Sequence, residues 1–179
     1  MTRPQSPRRW YADRAAWRLI ALRYLPWLAA LNLAWETAQL PLYSLWTEGT
    51  PAFIVFSVAH CTLGDVIVGA TALAVALVAS RAPELARWRW APIAVALALA
   101  GATYTVLSEW MNIALENWAY SELMPVLRVF GAEIGLSPLA QWLLLPPLAL
   151  WFALPAIKGH SAVNRAAITS ADHQKLGDQ

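Results

Sequence analysis

Residues 53–78 read FIVFSVAHCTLGDVIVGATALAVALV, an apolar stretch that is interrupted by two ionisable residues. About 20 mostly apolar residues suffice to cross the hydrocarbon core of a bilayer as an α-helix. A charged side chain at the bilayer centre costs about 2.5–3.5 kcal/mol on insertion scales, so an ionisable residue inside a span indicates a functional site. The stretch therefore predicts a transmembrane helix, and its His60 and Asp65 predict a site within that helix.

Three further apolar stretches have membrane length, at residues 24–46, 91–112 and 136–157. Only 13% of the 179 residues are charged and 59% are hydrophobic, whereas about 25% of the residues in a soluble domain are charged. The eleven tryptophans are typical of the aromatic belts at the two membrane interfaces. We predict one integral membrane domain over residues 24–157, an all-α, up-down bundle of four transmembrane helices.

Basic residues are distributed unevenly between the two ends of this bundle. Six arginines lie within residues 1–23, three lie in the loop 81–89, and the tail 158–179 holds three basic residues. The loops at the opposite end hold only Arg128. Because loops rich in Lys and Arg stay in the cytoplasm, we predict that both termini are cytoplasmic, in a bacterial inner membrane.

The N-terminal segment, residues 1–23, has a helical repeat of aromatic residues. Trp10, Trp17 and Tyr24 follow one another at intervals of seven residues, which places them near one face of a helix. This pattern favours an amphipathic helix that lies at the membrane surface. A disordered basic tail is the alternative.

Cysteine and histidine are scarce, and this excludes several classes of redox protein. Cys61 is the single cysteine, so the chain is not a membrane thiol oxidoreductase that uses a cysteine pair of its own, and a four-ligand Cys/His zinc site is poorly supplied. His160 and His173 lie beyond the last apolar stretch. We therefore do not expect a bis-histidine haem within the bilayer, and the cofactor is unknown.

Polar residues of all four predicted spans fall between the bilayer midplane and the outer interface. In the first span, Asn32, Glu36, Gln39 and Tyr43 follow the i, i+4, i+7, i+11 spacing of one helical stripe. At a rise of about 1.5 Å per residue, Asp65 lies near the midplane and His60 nearer the outer surface. The other two spans contribute Glu109, Asn112 and Gln141 at their outer ends.

The ionisable residues of this set have the chemistry of acid–base catalysis. A carboxyl group in a low dielectric resists ionisation, so Glu36, Asp65 or Glu109 could donate or relay protons, with His60 assisting. The same four residues would also suit a divalent metal such as Mn, Fe or Zn, which stays open as an alternative. The predicted substrate-binding residues are polar or aromatic and comprise Asn32, Gln39, Tyr43, Asn112, Trp118, Tyr120 and Gln141. The competing interpretation is that the polar side chains only join helices, at about 0.6 kcal/mol per hydrogen bond.

The loop of residues 113–135 is rich in aromatic and acidic residues, including Trp118, Tyr120 and Glu133. Such a composition on the outer face is compatible with a lid over the site. An ordinary interfacial loop is equally compatible, and the sequence does not decide between them.

Several strings resemble a group of uncharacterised small bacterial inner-membrane proteins. They are Trp35-Glu36 with Gln39-Leu40-Pro41-Leu42-Tyr43, His60-Cys61-Thr62-Leu63-Gly64-Asp65, and Ser108-Glu109-Trp110-Met111-Asn112. This resemblance covers most of residues 24–157 and implies no activity. A second likeness is to membrane carotenoid hydratases and cyclases, through Glu109, Tyr120-Ser121 and Pro125. It implies that Glu109 is an acid and that the substrate is an isoprenoid.

The leading functional hypothesis is an outward-facing intramembrane pocket that binds or acts on a membrane-soluble substrate, such as a quinone, isoprenoid or lipid. The expected partners are the lipid bilayer and that small molecule, and no nucleic acid. One alternative is a homo-oligomeric transporter of protons or metal ions. Another is a structural subunit of a larger membrane complex.

Overall fold

A computed structural model describes residues 9–115, 118–129 and 131–154 of the chain. The protein is mostly helical, at 79%. Three helices are long and apolar enough to cross a membrane: α4 (Pro51–Ala79), α5 (Trp90–Ala114) and α6 (Leu136–Ala153). The predictions for residues 1–8, for the C-terminal tail and for the end of the fourth stretch at 155–157 fall outside the described residues.

The first helical segment runs through residues 14–39 and differs from the predicted stretch 24–46. It comprises α1 (Arg14–Leu19), a π-helical turn (Ile20–Tyr24) and α2 (Leu25–Gln39). Pro26 explains the π turn, because a proline lacks the N–H for the regular helical bond and its ring crowds the preceding turn. Pro41 lies in the short 3-10 turn Leu40–Leu42 that ends the segment, after which Tyr43 is extended. The first helical segment therefore begins before residue 24 and ends before residue 46.

Two other helices agree with their predicted bounds to within a few residues. Helix α4 begins at Pro51, and the Thr50 hydroxyl caps it by accepting a hydrogen bond from the Phe53 N–H. A proline at the first helical position costs nothing, because the first N–H groups of a helix have no partner within it. Helix α5 follows after a connection that contains the 3-10 turn Leu85–Arg87.

The four long helices pack in a ring in which α2 contacts α4 and α6, and α5 contacts the same two helices. Glycines permit close approach at two of these contacts. A Cβ atom at Gly69 would overlap the Leu28 side chain, and one at Gly101 would lie 2.5 Å from the Trp142 ring. Gly64, by contrast, faces open space.

The apolar core lies towards one end of the ring, which we call the N-terminal end. It includes fully buried leucines from all four long helices, Leu28, Leu73, Leu77, Leu97 and Leu150. Residues 9–13 close this end. The Asp13 carboxylate accepts hydrogen bonds from the N–H groups of Ala15 and Leu85, at 2.9 and 2.8 Å. The N-terminal segment and the basic loop 81–89 therefore lie at the same end of the molecule.

The opposite end, the hairpin end, carries strands that the all-α prediction did not include. Strands β1 (Val126–Val129) and β2 (Ala132–Gly135) form an antiparallel hairpin, with Gly131 in the turn at a φ of 84°. Arg128 lies opposite Glu133 and forms an exposed ion pair with it at 2.8 Å. A short helix, α3 (Leu45–Glu48), lies in the connection between α2 and α4.

Candidate functional site

A hydrogen-bonded cluster of polar side chains joins three helices in the half of the ring nearer the hairpin end. The Gln141 amide nitrogen of α6 lies at its centre. This nitrogen is 2.9 Å from the Asn32 oxygen, 2.9 Å from a Glu36 carboxyl oxygen and 3.0 Å from an Asp65 carboxyl oxygen. The stripe predicted on the first span therefore faces the interior of the bundle.

Gln39 extends the cluster towards the hairpin end. Its amide nitrogen donates to Glu36 at 2.9 Å and to the Gln141 side-chain oxygen at 3.3 Å. Its own oxygen accepts from the Ser137 hydroxyl at 2.8 Å and from the Trp35 indole at 3.2 Å. Because Gln39 is buried and uses both ends of its amide, its orientation is fixed by partners on two helices.

Three carboxyl groups from three helices lie in this part of the bundle. One carboxyl oxygen of Glu36 and one of Asp65 approach the same Gln141 nitrogen, at 2.9 and 3.0 Å, and Glu109 of α5 interacts electrostatically with Glu36. Cys61, one turn before Asp65, lies near all three. Among the described residues the ion pairs join arginines to Glu84 and Glu133, so none of them neutralises these carboxyls.

The segment 118–124, which we call the cover segment, crosses the hairpin end of the cluster. It pairs with the turn after α2, where the Ser44 N–H donates to the Ala119 carbonyl and the Ser121 N–H donates to the Leu42 carbonyl, both at 3.0 Å. Within this pairing, Tyr43 and Tyr120 are bridge partners with ring centroids 5.8 Å apart. The cover segment thus lies over the hairpin end of the cluster.

Tyr120 links the cover segment to the acidic cluster. Its hydroxyl donates a hydrogen bond to the Glu109 carboxylate and accepts one from the Gly135 N–H at 2.9 Å. Burial raises the pKa of the Tyr120 hydroxyl, and the hydrogen bond to Glu109 raises it further. The phenol is therefore neutral at ordinary pH and remains a hydrogen-bond donor.

The remaining predicted residues lie around this core. Tyr43 is close enough to interact electrostatically with Glu109 and Glu36. The indole N–H of Trp118 is buried and directed towards Glu109. Asn112 donates to the backbone and hydroxyl of Ser108, one turn back on its own helix.

His60 is not brought to the cluster. Its imidazole is on an exposed face of α4 and stacks on Phe56 at a centroid distance of 5.6 Å. The helical repeat explains this placement, since a residue five positions before Asp65 lies about 140° away from it around the axis. Cys61, four positions before Asp65, shares its face instead.

The metal site considered from the sequence is not assembled by the residues that the structure describes. Within residues 9–115, 118–129 and 131–154, no three His, Cys, Asp or Glu side chains are grouped so that they could hold a metal ion. The sequence hypothesis needed His60 together with the carboxyls of Glu36, Asp65 and Glu109, and His60 faces away from them.

Two residues of the cluster are absent from the predicted site. Cys61 could have been found from its i, i+4 relation to Asp65, which puts both on one face of the helix. Ser137 bonds Gln39 across 98 positions of sequence, and no local pattern indicates such a contact.

Comparison of the chain with protein-family models, with curated proteins and with solved structures found no match. The family resemblances drawn from its sequence strings therefore stay predictions.

Proposed function

We propose that the protein is a multi-pass protein of a bacterial inner membrane that binds or acts on a membrane-soluble substrate by proton transfer. The observation that carries the proposal is the meeting of Glu36, Asp65 and Glu109 without a cationic partner among the described residues. A buried carboxylate is costly unless it is paired or neutralised. A cluster of this kind therefore retains protons and can exchange them with a bound molecule.

We propose further that the segment 14–39 is the first of four transmembrane segments, with both termini in the cytoplasm. It packs along α4 and α6, two of the helices that are long and apolar enough to cross a membrane. The described arginines supply a second argument. Except for Arg128, all belong to residues 9–23 or 81–89, the segments that meet at the N-terminal end.

In the proposed mechanism, Glu36 and Asp65 donate or accept the proton, and Glu109 is a second acid that Tyr120 orients. The approach of Glu36 and Asp65 to a single Gln141 nitrogen supports their role as one unit. His60, which the sequence placed beside them, takes no part because its ring is outside the cluster.

The surroundings of the cluster favour a substrate that approaches from the lipid. The cover segment lies over the hairpin end, and the apolar core fills the N-terminal end. Residues 51–68, the outer part of α4 and described in full, include no buried residue, although Cys61 and Asp65 belong to this stretch. A quinone, an isoprenoid or another lipid could reach the carboxyls beside this loosely packed part of the helix.

The transport alternative requires a polar path through the whole bundle. Between the cluster and the N-terminal end lies the apolar core, in which Leu28, Leu73, Leu97 and Leu150 are at most 2% exposed. The side chains of such a core offer no hydrogen-bonding groups to a proton or a metal ion. This weighs against a transporter. The mass-spectrometry experiment below also tests the alternative of a complex subunit, which predicts a chain seen only with another polypeptide.

The test is native mass spectrometry of the protein extracted gently from its own membrane. We expect a bound quinone, isoprenoid or lipid in the wild type, and its loss in the double variant Glu36→Gln, Asp65→Asn. A His60→Ala variant is the matched control and should keep the ligand. A bare chain, a ligand that persists in the double variant, or a chain seen only with another polypeptide would refute the proposal.

A further inference from the structure

We propose that Gln141 is a positioning residue that holds Glu36 and Asp65 in contact as a pair that shares one proton. This inference rests on the proposed function, since it specifies the group that carries the transferable proton. It adds a residue from the fourth long helix, which has no acid or base of its own in the cluster.

Two carboxyl groups held this close together favour a shared proton. One carboxyl oxygen of Glu36 and one of Asp65 lie 2.9 and 3.0 Å from the same Gln141 nitrogen, and the ion pairs among the described residues involve neither group. Like charges at such short range oppose each other's ionisation, so the two groups hold one proton between them, as carboxylate pairs in active sites do.

Gln141 fixes the separation of the pair. A single nitrogen atom of its amide lies within 3.0 Å of both carboxyl groups and 2.9 Å from the Asn32 oxygen. Glu36 and Asp65 belong to different helices, so this nitrogen bridges α2 and α4 from α6.

The Gln141 amide is itself immobilised. The residue is 2% exposed, and its side-chain oxygen accepts from Gln39. Asn32, also 2% exposed, is held in turn by its hydrogen bond to the Leu28 carbonyl at 2.8 Å. A group that is locked in this way can position the carboxyls without reorganising during proton transfer.

The titratable groups that face the pair come from the neighbouring elements. They are Cys61 on α4, Glu109 on α5 and Tyr43 in the turn after α2, and α6 contributes only amide and hydroxyl groups through Gln141 and Ser137. All of these groups are neutral or acidic. Within the described part of the chain, a proton is therefore the available positive charge for the pair.

The experiment is infrared spectroscopy of the full-length protein in liposomes at neutral pH, which detects the C=O stretch of a protonated carboxyl group. We expect a band that shifts or disappears in both Glu36→Gln and Asp65→Asn, because the proton belongs to both residues. Gln141→Met, close in length but without a donor, should shift the same band. Thr105→Val is the matched control, since Thr105 is buried but bonds only its own helix at Gly101, and it should leave the band unchanged.

A second variant keeps the test decisive if Gln141→Met does not fold. Gln141→Glu preserves length and polarity and puts a third acid in contact with the pair, so we expect about twice the protonated-carboxyl intensity of the wild type. A band that responds to only one carboxyl variant, or that is identical in both Gln141 variants and the wild type, would overturn the inference. Ligand retention, measured on the same preparations by mass spectrometry, separates the two proposals. If the carboxyl variants lose the ligand but the infrared band does not change as expected, the shared proton is refuted and the proposed function stands. If the band changes as expected but these variants keep the ligand, the proposed function is refuted and the shared proton stands.

Discussion

Gly101 of α5 lies against the Trp142 ring, and replacing it with alanine tests the helix contact next to Gln141 of the polar cluster. The new Cβ atom would lie 2.5 Å from Cε3 and 3.3 Å from Cδ2 of that ring, whereas carbon atoms at contact are about 3.5–4.0 Å apart. Trp142 is 4% exposed, and its ring also packs edge-on against Tyr104 of α5. The ring therefore has little room to move, and the helices must separate.

The expected magnitude follows from two opposing effects. Alanine in a helix interior is favoured over glycine by about 1 kcal/mol, and forcing extra volume into a packed contact costs about 1–3 kcal/mol. Gly64→Ala is the matched control, because a Cβ atom there meets nothing within 4 Å. Both variants carry the same helix-propensity gain, so the Gly101 variant should be less stable than the Gly64 variant by about 1–3 kcal/mol.

The assay is equilibrium unfolding in mixed micelles with increasing SDS, followed by far-UV circular dichroism. The Gly64 variant should unfold at or above the SDS fraction of the wild type, and the Gly101 variant clearly below that of the Gly64 variant. Equal midpoints for the two variants would refute the reasoning, because they would mean that the Trp142 ring yields without cost.

Three further predictions concern the cover segment, the hairpin and the exposed face of α4. Tyr120→Phe removes the hydrogen-bond donor to Glu109 and the acceptor of a nearby backbone N–H. It should therefore lower the free energy of unfolding by about 1–3 kcal/mol and speed amide hydrogen exchange in the cover segment, and unchanged exchange would argue against a lid. Arg128→Ala breaks an ion pair with Glu133 in which the two side chains are 81% and 46% exposed, so unfolding measurements should show a change below about 1 kcal/mol, and a larger loss would contradict the structure. His60→Ala should leave both the bound ligand and the carboxyl infrared band unaltered, and a change in either would return the imidazole to the site.

The sequence predicts the apolar helices well because hydropathy and length determine whether a segment can cross a bilayer. It also predicts that one stripe of α2 faces inward, since Asn32, Glu36 and Gln39 share a helical face and the structure pairs them with α6. It does not predict where α2 begins and ends, because Pro26 is accommodated by a π turn while Pro41 ends the helix. Composition alone does not distinguish these two prolines.

The placement of His60 shows that the depth of a residue along a membrane span does not by itself predict whether its side chain reaches the site. His60 and Asp65 belong to the same span, but the site is selected by the angle around the helix as well as by the position along it. The i, i+4 neighbour Cys61 meets this second requirement and His60 does not. Similarly, the hairpin at 126–135 arises in a segment that the sequence describes only as an aromatic and acidic loop.

The composition of the cluster bears on whether its residues only hold helices together. Amide side chains would suffice for that role, because Gln39 and Gln141 already join α2 to α6 through uncharged hydrogen bonds. Adding carboxyl groups from α2 and α4 brings a desolvation cost that amides avoid, and two carboxyl groups at one amide nitrogen oppose each other's ionisation, as an amide pair would not. Asn and Gln in place of the two acids would preserve the shape of the contact while removing this exchangeable proton. The retention of acids at the centre of an otherwise amide-rich network is therefore better explained by proton transfer than by adhesion between helices.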